Sequence, residues 1–194
     1  MTPGFDHSYE RLGRAYSSVQ QLDPVSAPEL LLWNATLAAA LEWPGDPVSD
    51  PALLRALAGN EILQGAQPIA TAYAGHQFGQ YNPQLGDGRA TLLGEWVTSA
   101  GDRFDIQLKG AGPTPYSRGG DGRSPVGPVI REYLLSEAMH ALSVPTTRAL
   151  AAISSGDPVY RNRLEPGAVL TRVASSHLRV GTVQYFAMTR DGEG

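Results

Sequence analysis

At 194 residues, 42% hydrophobic and 18% charged, the chain has the make-up of one domain that can bury a core, which excludes wholesale disorder. A net charge of −4 and a pI near 5.5 give no general attraction to nucleic acid or to an anionic membrane. With no cysteine there is no disulfide, thiolate nucleophile or Cys-built zinc site, and 22 Gly and 15 Pro without a period point to many shaped loops. No basic stretch followed by an apolar run opens the sequence, and no span of about 18 apolar residues occurs. No membrane partner is expected, and the expected location is the cytoplasm.

The run 27–43 is rich in strong helix formers, with Pro28 near its start and Pro44 at its stop, and predicts a helix whose stripe of Leu30, Trp33, Leu37 and Leu41 packs into the core. Residues 51–63 predict a second short helix ended by the Gly65 region. The character then changes to loop from about residue 67 to Arg89. Residues 90–97 and 104–109 read as two strands joined by the turn Ser99-Ala100-Gly101-Asp102, a β-hairpin. A glycine- and proline-rich stretch over 110–127 precedes a helix over 128–142, and strands are expected over 147–154, 168–174 and near 180–188. The predicted class is α+β: an antiparallel sheet with an inserted helix (67–194), preceded by a helical extension (1–66) that is no separate domain.

Gly86-Asp87-Gly88-Arg89 enters the hairpin where glycines let backbone amides turn towards an anion and Arg89 adds a charged fork, although a tight turn alone explains the glycines equally. Neither a G-x-x-x-x-G-K-[ST] loop nor a G-x-G-x-x-G opening a helix is present. By strand alternation Asp105, Gln107 and Lys109 share one face, opposite Phe104, Ile106 and Leu108. A glycine loop, a strand lysine and then a helix carboxylate is the layout of a protein-kinase small lobe, in which the lysine holds phosphates and the carboxylate holds the lysine. Glu132 and Glu137 both offer that carboxylate, and the helical wheel favours Glu137, which lies nearer the stripe of Ile130, Leu134, Ala138 and Ala141. Arginines among the glycines of 113–124 suit a triphosphate, with Asp121 accepting from sugar or base, and Arg172 and Arg179 join only if the sheet turns both to one pocket.

Six segments, Y-A-G-H-Q-F-G, L-G-D-G-R, Q-L-K-G-A-G-P-T-P-Y-S-R, D-G-R-S-P, R-E-Y-L-L-S-E-A-M and S-S-H-L-R-V-G-T, resemble the selenoprotein O family of kinase-like proteins, which transfer AMP from ATP to protein side chains. The resemblance runs from about Ala72 to Phe186. It implies a kinase-like N-terminal lobe in which Glu132, against the wheel, pairs with Lys109. It also implies an ATP reversed relative to ordinary kinases, its terminal phosphate among Lys109, Asp121, Gly122, Arg172 and Arg179, with Gly86, Gly88 and Arg89 completing the cradle. Family members are much longer, and their catalytic base Asp and their Mg²⁺ ligands lie in a second lobe. Of the later acids here, neither Asp157 nor Asp191 has a suitable setting. The chain therefore reads as the ATP-binding portion of a Mg²⁺-dependent adenylyltransferase of protein Ser, Thr or Tyr hydroxyls, lacking catalytic and metal residues of its own and inactive alone. The alternatives are an ordinary phosphotransferase, a non-catalytic, pseudokinase-like nucleotide-binding module, or an inert fragment.

Overall fold

In the computed structural model, which describes residues 2–189, the strands are β1 (Gly4–Asp6), β2 (Ser17–Val19), β3 (Glu29–Trp33), β4 (Ile69–Thr71), β5 (Gly75–Gln77), β6 (Gln80–Asn82), β7 (Ala90–Val97), β8 (Arg103–Lys109), β9 (Ser124–Pro125), β10 (Arg148–Tyr160) and β11 (Leu164–Ala174). The α-helices are α1 (Ala35–Ala40), α2 (Pro51–Ala58), α3 (Val126–Ala141) and α4 (Val180–Thr189). Nine strands form one antiparallel sheet in the order β2-β4-β7-β8-β11-β10-β3, with β1 on β7 and β9 on β11, while β5 and β6 make a separate hairpin. The fold is α+β, with few helices around a large sheet. No helix among the described residues is long and apolar enough to cross a membrane.

The β7–β8 hairpin lies at the sheet's centre, and its alternation divides the molecule into layers. Ile106 and Leu108 point back into the main core with Leu93, Val169 and Val173, where α1 and α2 close over them through Leu37, Leu41, Leu53 and Leu57. On the front, α3 covers one end of the sheet, burying Val129 and Tyr133 against Ala152 and Leu170. Beyond α3 the front face carries Asp105, Gln107 and Lys109 from β8. Register sets Arg172 of β11 beside Gln107 and Leu170 beside Lys109.

Four expectations are corrected. The run 27–43 is not one helix: Glu29–Trp33 pairs with β10, and Asn34 then caps the short α1 by accepting from the Leu37 amide. Leu30 and Trp33 pack on the back core and Leu32 on the front, so this apolar run has partly buried side chains on both sides, a pattern that periodicity cannot tell from a helix. Residues 1–66 thus supply β1, β2 and β3 to the common sheet and are not a helical extension. The second helix ends at Ala58 because Gly59 adopts a left-handed C-cap (φ 88°), well before Gly65. Residues 180–188 are helical, not a strand: Thr182 Oγ1 accepts from the Arg179 amide and returns its own amide to the Arg179 carbonyl, capping the first turn of α4.

Candidate nucleotide site

Lys109 leaves the end of β8 on the front face, where α3 crosses it. Its Nζ lies 2.5 Å from Glu132 Oε2, and Glu132 Oε1 is 3.0 Å from Arg172 Nε, an ion pair without hydrogen-bond alignment. Arg172 in turn donates from Nη1 to Gln107 Oε1 at 2.9 Å. One carboxylate therefore separates two cations that would otherwise repel. Burial pushes both the Lys109 ammonium and the Arg172 guanidinium below their ordinary pKa values, and Glu132 opposes the fall in each. Glu137, which the wheel favoured, faces elsewhere: it accepts two hydrogen bonds from Arg148, one from Asn34 and one from the Ala149 amide, tying α3 to β10 and to the start of α1.

Two glycine-rich loops meet in front of this pair. Asp87 is buried and accepts from the Thr71 amide and hydroxyl at 3.1 and 2.6 Å, fixing the turn after β4. The Thr114 and Ser117 hydroxyls donate to the carbonyls of Asp87 and Gly88, both at 2.6 Å, so residues 86–88 and 113–118 are stitched together. That contact needs bare backbone: a Cβ on Gly86 would fall 2.2 Å from the Tyr116 ring. Gly122 (φ +65°) is tighter still, since a Cβ there would meet the Gly112 carbonyl oxygen at 1.9 Å.

Between loops and sheet lies a cleft of about 390 Å³ onto which all of Gly86, Gly88, Arg89, Lys109, Asp121, Gly122, Arg172 and Arg179 open. Arg179, on the turn between β11 and α4, stacks its guanidinium 4.9 Å from the centre of the Tyr73 ring, and burial pushes the Tyr73 phenol up to about 12. Arg118, Arg123 and Arg161 add to the wall, giving seven cationic side chains against the two carboxylates Asp87 and Asp121. On a chain of net charge −4 this is a concentrated positive site of a size for a small polyanion. Residues 1–194 match the family described as Protein adenylyltransferase SelO. The chain belongs to this family. It is 57% identical over 190 residues to a protein nucleotidyltransferase YdiU of Maridesulfovibrio salexigens, covering 98% of this chain and 38% of that protein. Proteins of the same name from a Ruegeria species and from Bacillus cereus are 60% identical over 183 residues and 56% over 182, each covering 94% of this chain and 38% and 37% of theirs. The chain thus spans about two fifths of the length of these curated relatives.

In this SelO-family chain the carboxylates near the cleft are already engaged. Glu132 is held by Lys109 and Arg172, Asp87 by Thr71, and Asp121 by a two-point ion pair with Arg161 at 2.8 and 2.9 Å, which holds its carboxyl below the ordinary value. Asp121 was expected to accept from a sugar or base; Arg161 and the Arg123 amide take its oxygens here. With Glu132, Asp87 and Asp121 all engaged, the carboxylates of the cleft do not fit Mg²⁺ as they stand, and no cluster of three metal-ligating side chains occurs among the described residues. Asp157 accepts from the Ser26 amide, away from the cleft, and Asp191 lies outside the described residues. Sequence reasoning missed Gln107, Tyr73 and Arg161. For Gln107 there was a signal, a polar side chain alternating with core residues on the lysine's own strand; for Arg161, on the turn of the β10–β11 hairpin, there was none.

Proposed function

We propose that this chain is the kinase-like, phosphate-gripping lobe of a protein adenylyltransferase that moves AMP from ATP to Ser, Thr or Tyr hydroxyls of other proteins. The observation that carries the reading is the cleft's lining: seven cations, two of them half-buried on the sheet floor, with few apolar side chains beyond Leu85, Ala90 and two tyrosines. Such a floor suits phosphate oxygens better than a purine ring. This supports an ATP that enters phosphates first, its terminal phosphates among Lys109, Arg172, Arg179 and the Asp121-Gly122 turn, with the Gly86–Arg89 loop alongside.

In that orientation the α-phosphorus faces outward to the acceptor. The acceptor hydroxyl oxygen forms the new bond to the α-phosphorus, the bridging α–β phosphorus–oxygen bond breaks, and pyrophosphate leaves with the pair of electrons. The cations that held the terminal phosphates then lie where leaving-group charge develops, so that one set of residues both binds ATP and stabilises the transition state. The hydroxyl proton needs a base. The engaged carboxylates of the cleft do not supply one, and the reading places the base, and the ligands of Mg²⁺, in the further length that the relatives possess.

The test uses the full-length protein that carries this chain, with a protein acceptor and ATP labelled on either the α- or the γ-phosphate. Label from the α-position should appear on the acceptor and fall about 100-fold or more with Lys109→Ala. Transfer of γ-label instead would make the protein an ordinary phosphotransferase. Neither label, with ATP bound, would leave a non-catalytic nucleotide-binding module.

A further inference from the structure

Arg179 is a cleft cation outside any strand: it sits after the end of β11 and directly before the first turn of α4. On its far side the segment is fixed by the Thr182 cap and by Gly181, whose carbonyl accepts from the Ala74 amide at 2.9 Å and where a Cβ would fall 1.7 Å from the Ala74 oxygen. On its near side the fixed point is His177. The His177 amide donates to Asp105 Oδ2 at 2.6 Å, and the ring, whose side chain is 7% exposed, lies with Nδ1 3.6 Å from the same oxygen, beyond hydrogen-bonding distance. The ring lines a second cavity of about 160 Å³ on the front of the sheet, shared with Tyr9, Glu95 and Gln107. Asp105, Gln107 and Lys109 are successive front-facing residues of β8, so one strand holds His177, Arg172 and Glu132 in line.

We infer that His177 is a positioning residue for nucleotide binding: seated beside Asp105, it fixes the segment that delivers Arg179 over Tyr73 into the cleft. This deepens the proposed function and rests on the cleft being a triphosphate site. A buried imidazole whose ring nitrogens have no hydrogen-bond partner is a poor choice for packing alone, whereas as a rigid wedge two residues from an arginine outside any strand, it restricts where that arginine can point.

The test is a double-mutant cycle on the 194-residue chain, with ATP and AMP binding measured by calorimetry and folding by thermal unfolding. Arg179→Ala is expected to weaken ATP about tenfold or more and AMP far less, because AMP lacks the terminal phosphates. His177→Ala should weaken ATP about fivefold with AMP little changed, and adding it to Arg179→Ala should weaken ATP no further. His177→Gln, which keeps a polar group of similar reach, should recover most of the loss, and it replaces His177→Ala in the cycle if that variant does not fold. Multiplicative effects in the double variant, an equal loss of AMP and ATP, or unchanged ATP affinity would overturn the inference. Unchanged ATP affinity in Arg179→Ala would instead overturn the triphosphate reading itself.

Discussion

Glu132 and Glu137 are five residues apart on α3, so their side chains leave the helix axis about 140° apart and meet different strands. Glu132 points to the cleft edge, partly exposed, between Lys109 and Arg172. Glu137 points to β10 and accepts four hydrogen bonds from Arg148, Asn34 and Ala149. The pairs therefore differ in what they support. Glu137→Gln should cost about 2 kcal/mol of folding stability in a denaturant titration, because Arg148 loses a two-point charged partner, while ATP affinity stays unchanged. Glu132→Gln should cost a comparable amount, since Lys109 and Arg172, with side chains 24% and 12% exposed, lose the carboxylate that separates them. In the full-length protein it should in addition lower kcat about 100-fold with little change in the KM for ATP, because the lysine and arginine it aligns remain charged but lose their fixed geometry. A stability loss in Glu132→Gln with kcat intact would assign that carboxylate to the fold alone.

At the scale of elements, the sequence reading succeeded where a single local rule decided and failed where tertiary partners did. Residues 104–109 alternate after a glycine turn, and the hairpin they form with 90–97 was legible with its front-facing lysine. The helix formers of 29–33 became a strand because β10 offers a pairing edge and both faces are covered, facts that lie more than a hundred residues away. Residues 180–188 read as a strand, yet Thr182 caps a helix. The glycines of the cleft were legible as loop, but not which of them the structure cannot spare. Gly119 and Gly122 both have positive φ, 79° and 65°, and Ala at either should cost about 1 kcal/mol of backbone strain. Only at Gly122 does the added carbon also run into a backbone oxygen, Gly112 O, whereas nothing lies within 4 Å at Gly119. Gly122→Ala should therefore destabilise clearly more than Gly119→Ala and abolish ATP binding by displacing the 119–123 turn, while Gly119→Ala keeps it. Equal behaviour in unfolding and in calorimetry would remove the close approach as the reason for glycine.

For the whole molecule the governing fact is how charge is distributed. The chain is acidic, with a net charge of −4, yet its cleft gathers seven cations, and against Asp87, Asp121, Glu132 and the Asp23 paired to Arg123 these leave a local excess of three positive charges. Acidic side chains elsewhere balance that excess, so the molecule as a whole does not attract polyanions such as nucleic acid, while the cleft does so at short range. Apolar side chains stand exposed along α3: Leu134, Leu135, Met139 and Leu142, on it and just after it, are 41–73% exposed. The cleft's excess makes ionic strength a direct probe of the site. At 0.05 M salt the screening length is roughly 14 Å, wider than a cleft of this size, and at 0.5 M it falls to roughly 4 Å, so most of the distant cations drop out and the contact pairs remain. ATP without Mg²⁺ should bind at least about tenfold more weakly at the higher salt, whereas adenosine, which carries no charge, should change little. Lys109→Ala should flatten the ATP response, because it removes a cation from the cleft's floor. If adenosine and ATP fell together, the cleft would be recognising the base, and the phosphates-first orientation would have to be abandoned for an upright one.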